Sequence, residues 1–329
     1  MNALNHLIDK IKAFKNTEDI IREVIEIIKI FIKETKIQNT VDAQYWLQKI
    51  ERAIRQECPN ALPVLNFLIR ASTIISDKKF QITADQLPEK DFKFIRTNTT
   101  NVNSKELDKK SLTQAFRALE KELDDFDTIN ENIISFACTH LGEGETILVY
   151  CQSRLMTEFV EVAIEEKRVQ AIIVVSDLGA NVPLENSNKS VTYISEQSVF
   201  SVINQASKVF MDCHSVMADG SVINTSGTFI TAIMAKEYSI PVLVLAPMHH
   251  FTPKFTFNQE KNNEVIPPQT IFRDAFSLSN LEVVVVKHDL ISPDYVSLII
   301  TQLGEFSNSY IYQAYQEYYQ VSDKFGSTD

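Results

Sequence analysis

The sequence predicts an α/β protein in which an N-terminal all-helical domain precedes a Rossmann-like domain built on a doubly wound parallel sheet. Three observations predict it. All seven glycines lie at Gly142 or later, so the first 141 residues have none, as suits helices that need few tight turns. Apolar residues in that first part recur at helical spacing. After Gly144, short β-branched runs alternate with helix-length segments, the pattern of strands buried on both faces by crossover helices.

In chain order, Leu4, Leu7, Ile8, Ile11 and Phe14 share one helical face. Thr17 is an N-cap candidate, with Glu18 and Asp19 in the first turn. Ile20, Ile21, Val24, Ile25, Ile28, Phe31 and Ile32 continue at the same spacing. A third helix carries Tyr45, Trp46, Leu47, Ile50 and Ile54, and a fourth starts near Pro63 and runs through Val64, Phe67, Leu68 and Ile75. These define a helical domain over residues 1–80. Residues 81–107, with "RTNTTNVNSKEL", read as a polar loop or linker. Residues 108–329 form a helical connector and the Rossmann-like domain. The connector carries Leu112, Phe116, Leu119, Leu123 and Phe126, then Ile129, Ile133, Ile134 and Ala137. The expected strands are "ILVY" 147–150, "AIIVV" 171–175, "VTYI" 191–194, "VFM" 209–211, "VLVLA" 242–246 and "VVVV" 283–286, with helices over 153–167, 197–206 and 227–238.

The net charge is −11, which argues against direct nucleic-acid binding, since that usually needs a basic face. No apolar run approaches the roughly 20 residues of a membrane span. The charged, amphipathic start "MNALNHLIDKIKAF" has no signal-peptide core. The four cysteines (Cys58, Cys138, Cys151 and Cys213) form no C-x-x-C pair and read as free thiols of a cytosolic chain.

In an open parallel sheet, ligands sit beyond the carboxyl ends of the strands. Those ends here give "YCQSR" 150–154, Ser176-Asp177 and "MDCHS" 211–215, followed by "DGSVINTSGT". Gly227 and Thr228 open a helix whose free N–H groups would suit an anion. A Cys151/His214 nucleophile–base pair is geometrically conceivable, beside the commoner case of a buried structural cysteine. Asp212, Cys213 and His214 are no metal site, because neighbours on an extended chain face opposite ways and the ligand spacing is missing. "LGEGE" 141–145 precedes a strand, whereas a dinucleotide loop follows one. The closing tyrosine stripe, with Tyr310, Tyr312, Tyr315, Tyr318 and Tyr319, suits a terminal helix packed on its own domain or a partner interface.

"VFMDCHSVMADGSVINTSGTF" (209–229) with "AKEYSIPVLVLAPMHHFTPKF" (235–255) resembles a segment shared by methylthioribose-phosphate isomerases, ribose-bisphosphate isomerases and the regulatory subunits of eukaryotic initiation factor two-B. "APMHHFTPKF" (246–255) and "HDLISPDYVSLIITQLGEFSNSYIYQAYQEYY" (288–319), with landmarks at Asp289, Pro293, Leu303-Gly304 and Ser309-Tyr310, are similar to the beta type of those subunits. "NENIISFACTHLGEGETILVYCQSR" (130–154) and "EDIIREVIEIIKIFIKE" (18–34) fit the same family.

By this resemblance the isomerases' catalytic cysteine is kept as Cys151. Their catalytic aspartate is replaced by His214, and their asparagine-lysine pair by Asn224-Thr225. Gly227-Thr228 is retained. Cys151, Ser153, Arg154, His214, Asn224, Gly227 and Thr228 would then mark a vestigial pocket with no catalytic residue, cofactor or metal. The resemblance implies a non-catalytic subunit of a guanine-nucleotide exchange factor in the cytoplasm. It would pair with a delta-type subunit, with Tyr310, Tyr312 and Tyr315 at the interface. Other implied partners are the catalytic gamma and epsilon subunits, the alpha subunit and initiation factor two, whose phosphorylated form the assembly senses in the integrated stress response. The alternatives are a sugar-phosphate isomerase, or an alpha- or delta-type subunit of the same factor.

Overall fold

The computed structural model of the chain describes residues 24, 40–58, 61–76, 114, 117, 126–150, 153–176, 190–255, 263–268 and 282–319. Apart from Val24, the helices expected over 4–14 and 17–32 lie outside these residues, as does the polar linker of 81–107. Two compact units divide the chain: Met1–Phe126 with Tyr319–Asp329, and Asp127–Tyr318.

In the first unit, α1 (Thr40–Glu57) packs against α2 (Leu62–Ser76). Ala43, Leu47, Ile50 and Ile54 recur every three or four residues, so they share one face of α1, and all are buried. Tyr45 stays on the outer side. Pro63 sits in the first turn of α2, where a missing N–H costs no helical bond. Val64, Leu65, Phe67, Leu68, Ala71, Ile74 and Ile75 bury most of that helix.

The second unit opens with α3 (Phe126–Thr139), which leads into β1 (Thr146–Tyr150). Then come α4 (Arg154–Lys167), β2 (Gln170–Val175), β3 (Val191–Ser195), α5 (Val199–Val202) and β4 (Lys208–Asp212). After β5 (Ser215–Val216) and β6 (Val222–Thr225) come α6 (Thr228–Glu237) and β7 (Val242–Leu245). The short strands β8 (Val265–Ile266), β9 (Val285–Val286) and β10 (His288–Ile291) follow, then β11 (Leu298–Thr301), β12 (Gly304–Phe306) and α7 (Ile311–Tyr319).

The main sheet runs β12-β11-β7-β4-β1-β2-β3. All its pairings are parallel except β11 with β12. Counting the parallel strands in chain order, this is the 3-2-1-4-5-6 arrangement of a doubly wound sheet, with the reversal between β1 and β4. The expected α/β class and Rossmann-like sheet are therefore observed. β1, β4 and β7 are buried almost throughout, while the edge strand β3 is largely open.

One expected strand is displaced. "VVVV" 283–286 is no member of the main sheet; Val285–Val286 pairs antiparallel with Val265–Ile266 in a separate ribbon. The sixth parallel strand is instead Leu298–Thr301, beside β7. Both runs are short and apolar, and periodicity cannot rank such runs. Burial separates them: Val284 and Val286 are exposed, whereas Ile299 and Ile300 are fully enclosed.

Ser153 starts α4 by accepting a hydrogen bond from the Met156 N–H at 3.3 Å. Arg168 ends it in the left-handed region (φ 53°) and donates its N–H to Ile164 O at 3.1 Å. The inner face of α4 brings Phe159 against Phe210 of β4, with ring centroids 4.8 Å apart. Ile133, Ala137, Val149, Val160, Leu243 and Ile300 complete that core. At the opposite end of the strands, Lys208 bonds both carboxylate oxygens of Glu145, at 2.9 and 2.7 Å.

Because Phe210 lies at the centre of this layer, Phe210→Ala is expected to destabilise the folded chain by about 3–5 kcal/mol. Urea denaturation followed by circular dichroism measures it, with Tyr312→Ala on the exposed surface as a near-neutral control.

Candidate functional site

At the β1/β4 switch point, β4 ends in Asp212, and the chain turns through Cys213 and His214 into β5. β5 and β10 both pair with β6, which forms a small antiparallel sheet beyond the carboxyl ends of the main one. That pairing sets Asp289 opposite Asn224 and His288 opposite Thr225.

The side chains at this corner bond to one another. Asn224 Nδ2 donates to Asp212 O at 2.7 Å, and its Oδ1 accepts from the Thr225 N–H at 2.8 Å. Tyr150, at the end of β1, donates to Gly227 O at 3.3 Å and accepts from the Thr231 hydroxyl at 3.2 Å. Thr228 Oγ1 donates to Thr225 O at 2.7 Å. Asp289 Oδ2 accepts from the N–H groups of Gly227 at 2.8 Å and Phe229 at 3.2 Å.

The anion site expected at Gly227 and Thr228 thus takes another form. The first N–H groups of α6 already hold an anion, and it is the chain's own carboxylate. Gly227 is required here: its φ is +101°, and an added Cβ would lie 2.9 Å from the carboxylate atoms of Glu196. Two acidic side chains therefore border the helix start.

Asp212, Cys213 and His214 engage three different partners, as alternation along an extended chain requires. Asp212 is buried and hydrogen-bonded to Ser153; burial pushes its carboxyl up to about 6, against the pull of that bond. Burial, with the neighbouring Asp212 charge, raises the Cys213 thiol well above its ordinary value, so it stays protonated and is no nucleophile at neutral pH. Its Sγ lies 3.8 Å from His250 Nδ1, which donates to Cys213 O at 2.8 Å. The His214 ring stacks on His288, centroids 4.8 Å apart.

Four of the six histidines gather here, His249 standing edge-on to His250 at 4.6 Å. Burial lowers His249 to about 3. Burial, then His214 and Lys287, lowers His288 to about 3. His250 is driven well below its usual value by burial, then by His249 and His214.

Of the expected site residues, Ser153, His214, Asn224, Gly227 and Thr228 do converge on this corner. Cys151 and Asp177 lie outside the described residues. Arg154 is largely exposed and donates to Glu158 one turn along its own helix at 2.6 Å. By sequence alone Tyr150 is a strand-end residue, Asp212 a member of a triplet set aside as a metal site and Asp289 a family landmark, while nothing singles out Glu196. No local signal marks Asp289 or His288, because their role comes from pairing across some sixty residues. Among the tyrosines, Tyr312 is exposed with its ring 6.2 Å from Phe255. Tyr310 stacks on Phe306 and bonds Glu317. Tyr315 is buried, on the face of α7 that also carries Ile311 and Ala314.

Sheet order and switch-point cluster together define a Rossmann-like protein whose described switch-point side chains bond to one another. The chain belongs to the initiation factor 2 subunit family, whose model matches residues 13–308. It is 30% identical over 213 residues to the translation initiation factor eIF2B subunit beta of Dictyostelium discoideum, covering 63% of this chain and 55% of that protein. The subunit beta of Schizosaccharomyces pombe is 25% identical over 214 residues, 62% and 54% of the two chains. The subunit delta of Dictyostelium discoideum is 24% identical over 205 residues, 56% and 33%. The chain spans about half the length of the beta relatives it matches.

Among solved structures, the tetrameric eIF2B-beta2-delta2 complex from C. thermophilum contains a chain that matches with a TM-score of 0.68 at 17% identity, over 96% of this chain and 94% of that one. The 5-methylthioribose 1-phosphate isomerase of Pyrococcus horikoshii matches with a TM-score of 0.63 at 15% identity, over 97% and 88%. At these identities the likeness is one of fold.

Asp289→Asn removes the charge at the start of α6 and is expected to cost about 1 kcal/mol in urea denaturation. The histidines set a pH dependence. Their folded values lie below the ordinary 6.5, so the unfolded chain takes up protons first and stability is lost as pH falls below about 6.5. Asp212 works the other way: its raised value adds stability as pH falls from about 6 towards 3.8. Three histidines outweigh one carboxyl, so stability should fall between pH 6.5 and 5. Each unbalanced proton contributes about 1.4 kcal/mol per pH unit at most. Denaturation midpoints at pH 7.5, 6.5 and 5.5 read the slope, which His288→Asn should flatten.

Proposed function

We propose that the chain is a beta-type regulatory subunit of the guanine-nucleotide exchange factor for translation initiation factor two, and that it performs no chemistry of its own. The observation that carries this reading is the alignment with two beta subunits across more than 200 residues. In this reading it works in the cytoplasm, pairs with a delta-type subunit, and joins the alpha subunit and the catalytic gamma and epsilon subunits. The assembled core senses initiation factor two in its phosphorylated form, and exchange proceeds on another subunit. Among the described residues, no helix is long and apolar enough to cross a membrane.

The switch-point corner is then a remodelled isomerase pocket. Cys151, Ser153, Arg154, His214, Asn224, Gly227 and Thr228 stand at its positions. An aldose–ketose isomerisation needs a placed acid–base group, which is typically worth 10²–10⁴ in rate. His214 instead lies against His288, and Thr225 stands where the resemblance implies a lysine. Asp289 on the α6 N–H groups and Glu196 beside Gly227 disfavour an incoming phosphate by charge. The exposed Tyr312 and Phe255, with Tyr310 alongside, form the face we assign to a delta-type chain.

Affinity purification of the tagged chain from its own cells tests the reading. A delta-type subunit should co-purify in stoichiometric amount, and its absence would overturn the assignment. The competing isomerase reading is favoured by the fold likeness to the archaeal isomerase. Purified chain should give no turnover of methylthioribose phosphate or ribose bisphosphate above background. Turnover that Cys151→Ser abolishes would establish the enzyme instead.

A further inference from the structure

Four imidazoles form a continuous file where the small antiparallel sheet meets the main one. His288 of β10 stacks on His214 at 4.8 Å, with the ring planes 23° apart. His214 is near enough to act on His250 by charge, and His250 meets His249 edge-on at 4.6 Å. The file draws on three segments: the turn from β4 into β5, the turn Met248–His250 after β7, and β10. His249 is buried and the other three are half-buried. The charged groups that act on these rings are cationic. His250 feels His249 and His214, and His288 feels His214 and Lys287.

The carboxylates of the surrounding elements are engaged elsewhere. Asp212 of β4 bonds Ser153, Asp289 of β10 holds the N–H groups of Gly227 and Phe229, and Glu264 bonds Lys287 at 2.9 Å. Glu196 lies beside Gly227 at the start of α6, and Cys213 stays a neutral thiol. A proton added to one ring therefore faces a second ring that can also charge. The small sheet can also part without opening the main core. The layer built on Phe159 and Phe210 draws no residue from β5, β6 or β10. Ties across the seam include the Thr252 N–H to Val216 O at 2.9 Å, Asn224 to Asp212 O, and the two Asp289 contacts.

We propose that this file of histidines is an acid-sensitive latch: as pH falls below neutrality, the small sheet of β5, β6 and β10 parts from the main sheet as a unit while the main sheet stays folded. In the closed form, burial first and then neighbouring positive charge keep the rings neutral. Parting exposes His249, His250 and His288 to water, where an imidazole takes up a proton near 6.5. The parted form then binds more protons, so acid favours it. Asp212 opposes this, because parting returns its carboxyl from about 6 towards 3.8. Three rings against one carboxyl raise the parted form about 10²-fold between pH 7.5 and 5.5. This opening is partial, and so distinct from the whole-chain loss of stability. It withdraws Asp289 from the start of α6. The latch belongs to this chain alone and does not rest on the proposed role.

Hydrogen exchange of the full, isotope-labelled chain, read amide by amide by NMR at pH 7.5 and 5.5, tests it. Each rate is divided by that amide's intrinsic rate at the same pH. The seam amides are Gly227, Phe229 and Thr252; Val209, bonded to Pro241 O, and Ala246, bonded to Ile300 O, report on the main sheet. Protection at the seam should fall about 10²-fold on acidification and stay at least tenfold below that of Val209 and Ala246. His288→Gln should cut the seam's change about tenfold, since one ring fewer titrates. His249→Gln should do the same, and serves if the first variant does not fold at pH 7.5. Equal protection of all five amides at both pH values would mean that only global unfolding occurs, and would overturn the latch. Seam protection that does not fall on acidification would overturn it too. A fall as large in the variants as in wild type would remove the histidines as its cause.

Discussion

Asp289 accepts two backbone hydrogen bonds from the start of α6, across sixty residues of chain. Through that contact a strand of the small antiparallel sheet is tied to a crossover helix of the main one. Asp289 also stands opposite Asn224, whose amide reaches the end of β4. One carboxylate therefore connects β10, β6 and α6, and through Asn224 the switch point itself. A helix start needs partners for its first N–H groups; in many doubly wound proteins a bound phosphate supplies them. Here Asp289 of the same chain supplies a partner to two of them.

The same burial and mutual bonding set the chemistry of the neighbouring side chains. Asp212 is buried, and Cys213 is held as a thiol beside it. The imidazoles of His249, His250 and His288 are kept neutral by their surroundings. Residues of the types that enzymes use for acid–base and nucleophilic steps are thus present, but each is occupied with its neighbour. Such a cluster specifies one packing of the small sheet on the large one, and the cost of breaking any member is high because unpaired buried polar groups are costly.

Legibility in the sequence followed the range of the interactions. The glycine-free first part, the helical faces of α1 and α2, and the strands β1 to β4 and β7 depend on local spacing and were readable. The carboxyl ends of the strands, and so Ser153, His214 and Gly227, followed from the sheet class. The strand at 298–301 was hidden by a rival run at 283–286, since four apolar residues carry no period. Asp289 and the His214/His288 stack depend on a four-residue strand pairing with a distant one, which no window detects. Arg154 shows the converse: it belongs to the segment after a strand end, yet it opens α4 and its side chain goes to Glu158 on the helix surface. Tyr315 was indistinguishable from Tyr312 by spacing alone, because a tyrosine suits both a core and an interface.

The most direct measurement of the switch-point corner is an amide NMR titration of the isotope-labelled chain with inorganic phosphate. The expected result is that the Gly227 and Phe229 N–H resonances do not move, because Asp289 already holds them. A saturable shift of those two amides would show that an outside anion displaces Asp289, and would contradict the view that this corner is structural.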